Sequence, residues 1–312
     1  MRTSTNESRR YAVILAGGDG TRLRTFTRAL IGEDRPKQFC PLFGSETLLD
    51  RTRDRVQRVV PASSTMFSLA ADQRQFFREP LADVPSRLKV IQPEKRGTAP
   101  AILYSLARLD QMDPDATVAF FPSDHFFGNE SAFVDQVRVA FSAAERNRDS
   151  VILLGIQPEN PETSYGWIEP VDSLFGGLSG SISRVSRFWE KPTAGVAAHL
   201  LDSGCLWNSF VMVGRNRAFL ELFRSQLPDM YRMFAAASRE FGTNREEAVM
   251  RSIYSWIHET NFSSEVLANV TERLMVMRVV DVEWSDLGEP ERVISTLGDL
   301  MTLPTWPQAV AA

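Results

Sequence analysis

"YAVILAGGDGTRLRTFTR" spans residues 11–28. Its opening segment, "YAVILA" (11–16), is apolar and rich in β formers, and Gly17-Gly18-Asp19-Gly20 ends it abruptly. A short apolar run closed by glycines reads as a buried strand feeding a turn. Arg22, Arg24 and Arg28 follow at once, with Arg35 and Lys37 close behind. A plain turn explains one glycine. Three glycines, then Thr21 and a run of cations, point to a loop whose backbone N–H groups cradle phosphate oxygens while Arg and Lys neutralise them. Leu23 stands at the third glycine position of a dinucleotide fingerprint, and no Gly-Lys-Ser/Thr follows, so neither a Rossmann fingerprint nor a P-loop is present.

Outward from this stretch, strand and helix patterns alternate. "SETLLDRTRDRVQRVV" (45–60) places Leu49, Thr52, Val56 and Val59 at helical spacing, with Ser45 as N-cap. "TMFSLAA" (65–71) reads as a strand, "DQRQFFREPL" (72–81) as a short helix and "RLKVIQ" (87–92) as a strand. "TAPAILYSLARLDQM" (98–112) reads as a helix capped by Thr98, with Pro100 tolerated in its first turn. "ATVAFFP" (116–122) and "VILLGI" (151–156) are buried strands flanking an amphipathic helix, "SAFVDQVRVAFSAAER" (131–146). This alternation means βαβ units: an α/β fold with a Rossmann-like mixed, mainly parallel sheet flanked by helices. Ligands of such sheets sit beyond the carboxyl ends of the strands. The loops at 17–20 and 122–125 both follow strands and can share one crevice.

After residue 156 the pattern changes. "SYGWIEPV" (164–171), "SISRVSRFWEKP" (181–192), "CLWNSFVMVG" (205–214) and "RLMVMRVVDVEW" (273–284) read as further strands, with a Gly/Ser loop at 176–181. Residues 216–270 read as a helical insert and "PERVISTLGDLM" (290–301) as a last helix. The expected organisation is a flexible N-terminus over 1–9, a single domain over 10–290, and a C-terminal helix and tail over 291–312. No linker, internal repeat or hexapeptide β-helix pattern interrupts it. The insert and the tail "TLPTWPQAVAA" (302–312) are read first as core packing, with a homodimer surface as the alternative.

Composition narrows the function. The 312 residues are 43% hydrophobic and carry a net charge of -4, which argues against general nucleic-acid binding. Two distant cysteines, Cys40 and Cys205, form neither a disulfide framework nor a metal knuckle, which suits a reducing cytoplasmic setting. The N-terminus "MRTSTNESRR" is polar, and no apolar run is long enough to span a membrane.

Asp124 in "FFPSDH" and Asp286 in "EWSDLG" each stand just past a strand. Each reads either as a turn cap or as a ligand of a divalent metal, Mg²⁺ where phosphates are present. In "FWEKP", Glu190 and Lys191 read as a solvated ion pair or as sugar-hydroxyl and phosphate contacts. Gly166 in "YGWIEP" and Asn208 in "LWNSF" read as sheet core with a bulge or as a sugar pocket. His125, His199 and His258 have no metal-ligand spacing, no GxSxG elbow occurs, and Cys40 reads as a small buried residue.

The order of these pieces is more telling than any one. "LAGGDGTRL", "RPKQFCPL", "QPEKRGTAPAI", "FPSDH", "YGWIEP", "FWEKP", "WNSF" and "WSDLG" run in series over more than four-fifths of the chain. The series closely resembles the sugar-phosphate nucleotidyltransferases, and within them the mannose-1-phosphate guanylyltransferase (GDP-mannose pyrophosphorylase) branch. The resemblance implies a single nucleotide-diphospho-sugar transferase domain. The implied reaction takes GTP and mannose 1-phosphate to GDP-mannose and pyrophosphate with Mg²⁺. It implies that Ala16, Gly17, Gly18, Gly20 and Thr21 lie against the nucleotide, with Gln92, Gly97 and Thr98 flanking the base. Arg22 and Lys37 would be the catalytic cations on the triphosphate. Asp124 and Asp286 would bind the metal, and Gly166, Glu190, Lys191 and Asn208 the sugar phosphate.

The chain departs from the family pattern at several points. Arg24-Thr25 replaces Trp-Pro, Asp19 stands for a serine, Gly97 for an asparagine, and no glycine follows Ser209. Other readings stay open: a transferase using dTTP or UTP with glucose or heptose 1-phosphate, or a non-catalytic GDP-mannose sensor.

Overall fold

The computed structural model describes residues 9–171 and 182–299. The Gly/Ser loop at 176–181 and the tail at 302–312 lie outside the described residues. The first half runs β1 (Arg10–Leu15), α1 (Arg24–Ile31), α2 (Leu48–Gln57), β2 (Thr65–Ala70), α3 (Arg74–Phe77), β3 (Lys89–Gln92), α4 (Thr98–Met112), β4 (Thr117–Pro122), β5 (Phe126–Phe127), α5 (Glu130–Arg146) and β6 (Val151–Ile156). The second half adds β7 (Gly166–Pro170), β8 (Ile182–Glu190), α6 (Ala194–Asp202), β9 (Leu206–Arg215), α7 (Asn216–Gln226), α8 (Pro228–Ala237), α9 (Glu246–Trp256), α10 (Phe262–Glu265), β10 (Leu274–Val279), β11 (Trp284–Ser285) and α11 (Pro290–Asp299).

Among the described residues, nine strands form one sheet in the order β3-β2-β1-β4-β9-β6-β10-β8-β7, and β5 pairs with β11 separately. β9 and β8 run against the remaining strands of the large sheet. The sheet is mixed, as expected, but only its β3-β2-β1-β4 and β6-β10 pairings are parallel; β9 and β8 make the other pairings antiparallel. Strands β2, β4 and β6 are buried along their whole length, which is why they read as continuous apolar runs. Helices cover the sheet: Phe120 of β4, for example, meets Phe219 of α7 edge to face at 5.2 Å.

β9 is the strand that shapes the site. Its first residues, Leu206 and Trp207, pair with β7, and its last, Met212–Arg215, pair with β4. Against β6, Asn208 lies opposite Gly155 and Met212 opposite Leu153, so Ser209–Val211 bulge out over a single residue. At this bulge β9 passes from β7 to β4, and a gap opens between those two strands.

Several local expectations need correction. Thr47, not Ser45, caps α2: its hydroxyl accepts from the Asp50 N–H, and the Asp50 carboxylate accepts from the Thr47 N–H. Gly97, not Thr98, is the N-cap of α4, and the Thr98 hydroxyl instead accepts from the Phe262 N–H at 2.8 Å. The run at 273–284 is not one strand. Asp281 and Glu283 adopt φ of 58° and 49°, which takes the backbone out of the extended conformation, and β10 ends at Val279 while β11 begins at Trp284. The helical insert consists of α7, α8 and α9; past Trp256 it continues as an extended stretch and then two short helical turns, α10 and Leu267–Asn269.

Candidate active site

A cleft of about 650 Å³ opens beyond the carboxyl ends of β1 and β4. Gly17, Gly18, Gln92, Lys95, Gly97 and Thr98 line one part and Gly166, Glu190, Asn208 and Phe210 another, with Asn261 and Ser263, on the segment bonded to Arg96–Ala99, between them. Asp124, His125, Tyr165, Trp284 and Asp286 complete the wall. A second pocket of about 260 Å³, lined by Gly20, Thr21, Arg22, Lys37 and Gly288, meets the cleft at Asp124. Nearly all the residues singled out in the sequence therefore converge. Two do not line either space: Ala16 is fully buried behind the loop, and Lys191 is exposed.

The glycine loop is held from behind. The Gln38 amide donates to the carbonyls of Ala16 at 3.2 Å and Gly18 at 2.8 Å, and Gln73 donates to Gly18 O at 2.9 Å. Among the described residues, no hydrogen bond uses the N–H of Gly17, Gly18, Asp19 or Gly20. Successive amide donors without protein acceptors are what a backbone anion site requires. Gly20 supports it with φ +58°, and a Cβ there would sit 3.3 Å from the Lys37 backbone. Asp19 is neutralised by an ion pair with Lys95, which also meets Asp72 at 2.6 Å. Burial works to lower the Lys95 pKa, but these two carboxylates raise it above the usual lysine value.

Lys37 is buried and joins the two aspartates. Its ammonium donates to the carbonyls of Asp286 at 2.5 Å and Leu287 at 3.2 Å, and lies 3.2 Å from Asp124 Oδ2. These partners match the three donors of an ammonium group. Asp286 Oδ1 accepts from Tyr165 Oη at 2.8 Å, Arg292 Nη1 at 2.6 Å and Gly288 N at 2.9 Å. Burial acts to raise the Asp286 pKa, but His125, Lys37, Arg292 and the Tyr165 hydroxyl together hold it below the usual carboxylate range. Arg22 is half-exposed, 3.7 Å from Asp286 Oδ2 and 3.6 Å from Glu289 Oε1. His125 is largely shielded from solvent, which lowers its pKa. Trp284 Nε1 donates to His125 Nδ1 at 3.3 Å, which leaves the ring proton on Nε2, towards Asp124.

One oxygen of each aspartate is without a close partner: Asp124 Oδ1 has only His125 Nε2 at 3.9 Å, and Asp286 Oδ2 only Arg22 at 3.7 Å. Among the described residues, no group of three or more His, Cys, Asp or Glu is placed to hold a metal.

At the far end, burial raises the Glu190 pKa against the lowering effects of Lys191 and Ser263. A Cβ on Gly166 would lie 3.0 Å from Glu190 Oε2, so the glycine makes room for that carboxylate. Asn208 Oδ1 accepts from the Phe210 N–H at 3.1 Å, leaving its amide nitrogen as the remaining donor. Tyr165, Trp207 and Trp284 pack edge to face beneath, with Tyr165 5.1 Å from each indole.

Sequence reasoning missed Arg292, Tyr165, Lys95, Gln38 and Gln73, and gave His125 no role. Gln38 was within reach, since it adjoins Lys37 in "PKQF". Arg292 was not, because an arginine on an amphipathic helix such as α11 reads as solvated.

Known proteins resemble this chain in sequence and in fold. The nucleotidyl transferase family profile matches residues 11–301. Xanthan biosynthesis protein XanB of Xanthomonas campestris pv. campestris (strain ATCC 33913) is 32% identical over 285 residues, 88% of this chain and 57% of its own. Mannose-1-phosphate guanylyltransferase ManC of Salmonella typhimurium is 31% identical over 294 residues, 90% of this chain and 58% of its own. This chain thus spans little more than half the length of these two relatives. A solved structure from Thermus thermophilus, described as a mannose-1-phosphate geranyltransferase, superposes with a TM-score of 0.76 at 31% identity, covering 92% of this chain and 79% of that one. With the profile spanning the glycine loop, both strand-end aspartates and the Gly166–Glu190–Asn208 end of the cleft alike, the chain belongs to the nucleotidyl transferase family.

Proposed function

We propose that this protein transfers GMP from GTP to mannose 1-phosphate, releasing GDP-mannose and pyrophosphate. The observation that carries the reading is the cleft itself. It joins the unpaired amide donors of Gly17, Gly18 and Asp19 at one end to Glu190 and Asn208 at the other, with Asp124 and Asp286 in the same wall. The curated relatives named as mannose-1-phosphate guanylyltransferases support the choice of substrates.

In this reading a phosphate oxygen of the sugar attacks the α-phosphorus, the bond from α-phosphorus to the β-bridging oxygen breaks, and pyrophosphate leaves. A phosphate monoester is already ionised at neutral pH, so no general base is needed. Catalysis rests on positioning and charge neutralisation. The N–H groups of Gly17–Gly20 hold phosphate oxygens, with Gln38 and Gln73 fixing the loop. Gln92, Gly97 and Thr98 flank the base. Arg22 reaches the departing phosphates. Lys37 locks Asp124 to the 286–287 backbone and lends its charge. Asp124 and Asp286 would hold Mg²⁺, which when bound supplies Lewis-acid stabilisation of phosphate charge. Glu190 and Asn208 take sugar hydroxyls beside Gly166, and Lys191 meets the sugar phosphate by turning inward. GTP, a sugar phosphate and two buried free thiols suit a cytoplasmic enzyme.

A pyrophosphate-release assay over a matrix of GTP, dTTP, UTP, CTP and ATP with mannose, glucose and heptose 1-phosphates tests this. The expected result is turnover greatest with GTP and mannose 1-phosphate, abolished by EDTA. Turnover only with a non-guanine nucleotide or another sugar, or binding without turnover at any Mg²⁺ concentration, overturns it.

A further inference from the structure

Among the described non-glycine residues, Lys191, Phe210, Asp281, Glu283 and Leu287 have positive φ. Phe210 is the one that itself lines the cleft. Its φ is +59°, a left-handed conformation that a bulky side chain disfavours and glycine accepts. Such a residue persists only where its surroundings over-determine it, and such residues cluster at functional sites.

Here the surroundings do over-determine it. Phe210 is the centre of the β9 bulge, where the strand passes from β7 to β4. Its N–H donates to Asn208 Oδ1 at 3.1 Å. Next to it, the buried Ser209 hydroxyl donates to Leu154 O at 2.6 Å and accepts from Val211 N at 3.2 Å. These bonds fix the backbone without using the phenyl ring. A glycine would satisfy all of them with less strain. The ring packs on one side against the hydrophobic core and also lines the cleft, where Asn208, Gly166 and Glu190 line the same end.

We propose that Phe210 is a specificity-determining residue for the sugar. It supplies an aromatic wall that accepts a hexose 1-phosphate turning a C–H face towards it and disfavours one that turns a hydroxyl there. An aromatic face packs well on C–H groups and offers a hydroxyl no hydrogen-bond partner. The same backbone turn that places the ring also occupies Asn208 Oδ1, so Asn208 presents its amide donor to the sugar. Wall and donor are thus set by one bulge. The inference rests on the proposed sugar-phosphate reading of this end of the cleft.

The test compares wild type with Phe210→Ala and Phe210→Gly, using GTP and the epimers mannose 1-phosphate and glucose 1-phosphate. Both variants are expected to shrink the ratio of kcat/KM between the epimers by about 10-fold, within the range one apolar contact commands. The change should fall in the KM for the sugar, with kcat and the KM for GTP held within about threefold. Phe210→Gly should also melt above Phe210→Ala, the reverse of their order in an ordinary strand. An epimer ratio within twofold of wild type in both variants overturns the proposal. If wild type uses another nucleotide, the functional reading fails and the same ratio is measured with that nucleotide. If wild type turns over neither epimer, calorimetric binding of mannose 1-phosphate decides: a 10-fold loss of affinity in Phe210→Ala supports the wall, and unchanged affinity refutes it.

Discussion

Arg292→Ala tests how the cleft is held together. The guanidinium donates to Asp286 Oδ1 at 2.6 Å, Glu162 Oε2 at 2.5 Å, Tyr165 Oη at 2.6 Å and Ser164 Oγ at 3.2 Å, and lies 4.7 Å from the Tyr165 ring centre. Removing one partner of a fully buried ion pair costs about 3–5 kcal/mol. An exposed pair is worth about 0–1 kcal/mol. The Arg292, Asp286 and Glu162 side chains are 21%, 12% and 19% exposed, nearer the buried limit. Both carboxylates keep other donors, Tyr165 for Asp286 and the Ser164 N–H for Glu162. The expected loss is therefore about 2–3 kcal/mol, between those limits. Urea unfolding followed by circular dichroism at pH 7 reads it directly.

The pH dependence of that loss has a definite sign. In the native protein the Asp286 and Glu162 carboxylates are held below the usual range, each against the opposing effect of burial, with Arg292 among the causes. A depressed carboxylate stabilises the fold fully above its unfolded pKa, near 4, and loses that contribution as pH falls through the lower folded value. The gap between wild type and Arg292→Ala should be open at pH 7 and close progressively below about pH 4. Turnover should fall about 10- to 100-fold, because Asp286 loses the partner that orients it. A gap under about 0.5 kcal/mol at pH 7, the size of an ordinary surface substitution, would refute the reasoning. So would a gap that stays constant down to pH 3.

Further outcomes follow from the same geometry. Arg22→Ala should cut turnover on the order of 10²-fold with little change in melting temperature, and wild-type kcat in steady-state kinetics would end its assigned role. Gly97→Ala should cost at least about 2 kcal/mol in urea unfolding, because φ 84° with ψ -173° is almost exclusive to glycine and a Cβ would sit 2.4 Å from Thr260 O. Burial pushes the thiols of Cys40 and Cys205 up to about 12 and about 11, so neither should react with Ellman's reagent in the folded protein at pH 8, and both should react in guanidinium. The raised thiol values also imply that stability is fully retained below about pH 8.5, then declines by up to about 1.4 kcal/mol per pH unit per thiol as the unfolded chain ionises first.

What the sequence revealed divides along physical lines. β1 and β4 were legible because a strand buried on both faces is a bare apolar run, and each ended in residues whose chemistry was conspicuous: glycines in one case, Asp124 in the other. Asp286 was found by the same rule. The order of β9 between β4 and β6 was hidden, because no periodicity in one strand records its neighbours or its direction. The break in 273–284 was also hidden, since Asp281 and Glu283 take left-handed angles without a glycine to announce them. Arg292 lies far in sequence from Glu162 and Tyr165 and meets them only through the fold. Asp19 looked anomalous beside a phosphate loop until its partner Lys95 came across from the segment after β3.

The central claim is that the sugar phosphate attacks the α-phosphorus. Mannose 1-phosphate carrying ¹⁸O in its non-bridging phosphate oxygens, incubated with GTP, Mg²⁺ and the enzyme, tests it most directly. By mass spectrometry every labelled oxygen is expected in GDP-mannose, with the pyrophosphate unlabelled. Label in pyrophosphate, or no labelled nucleotide sugar at all, would contradict it.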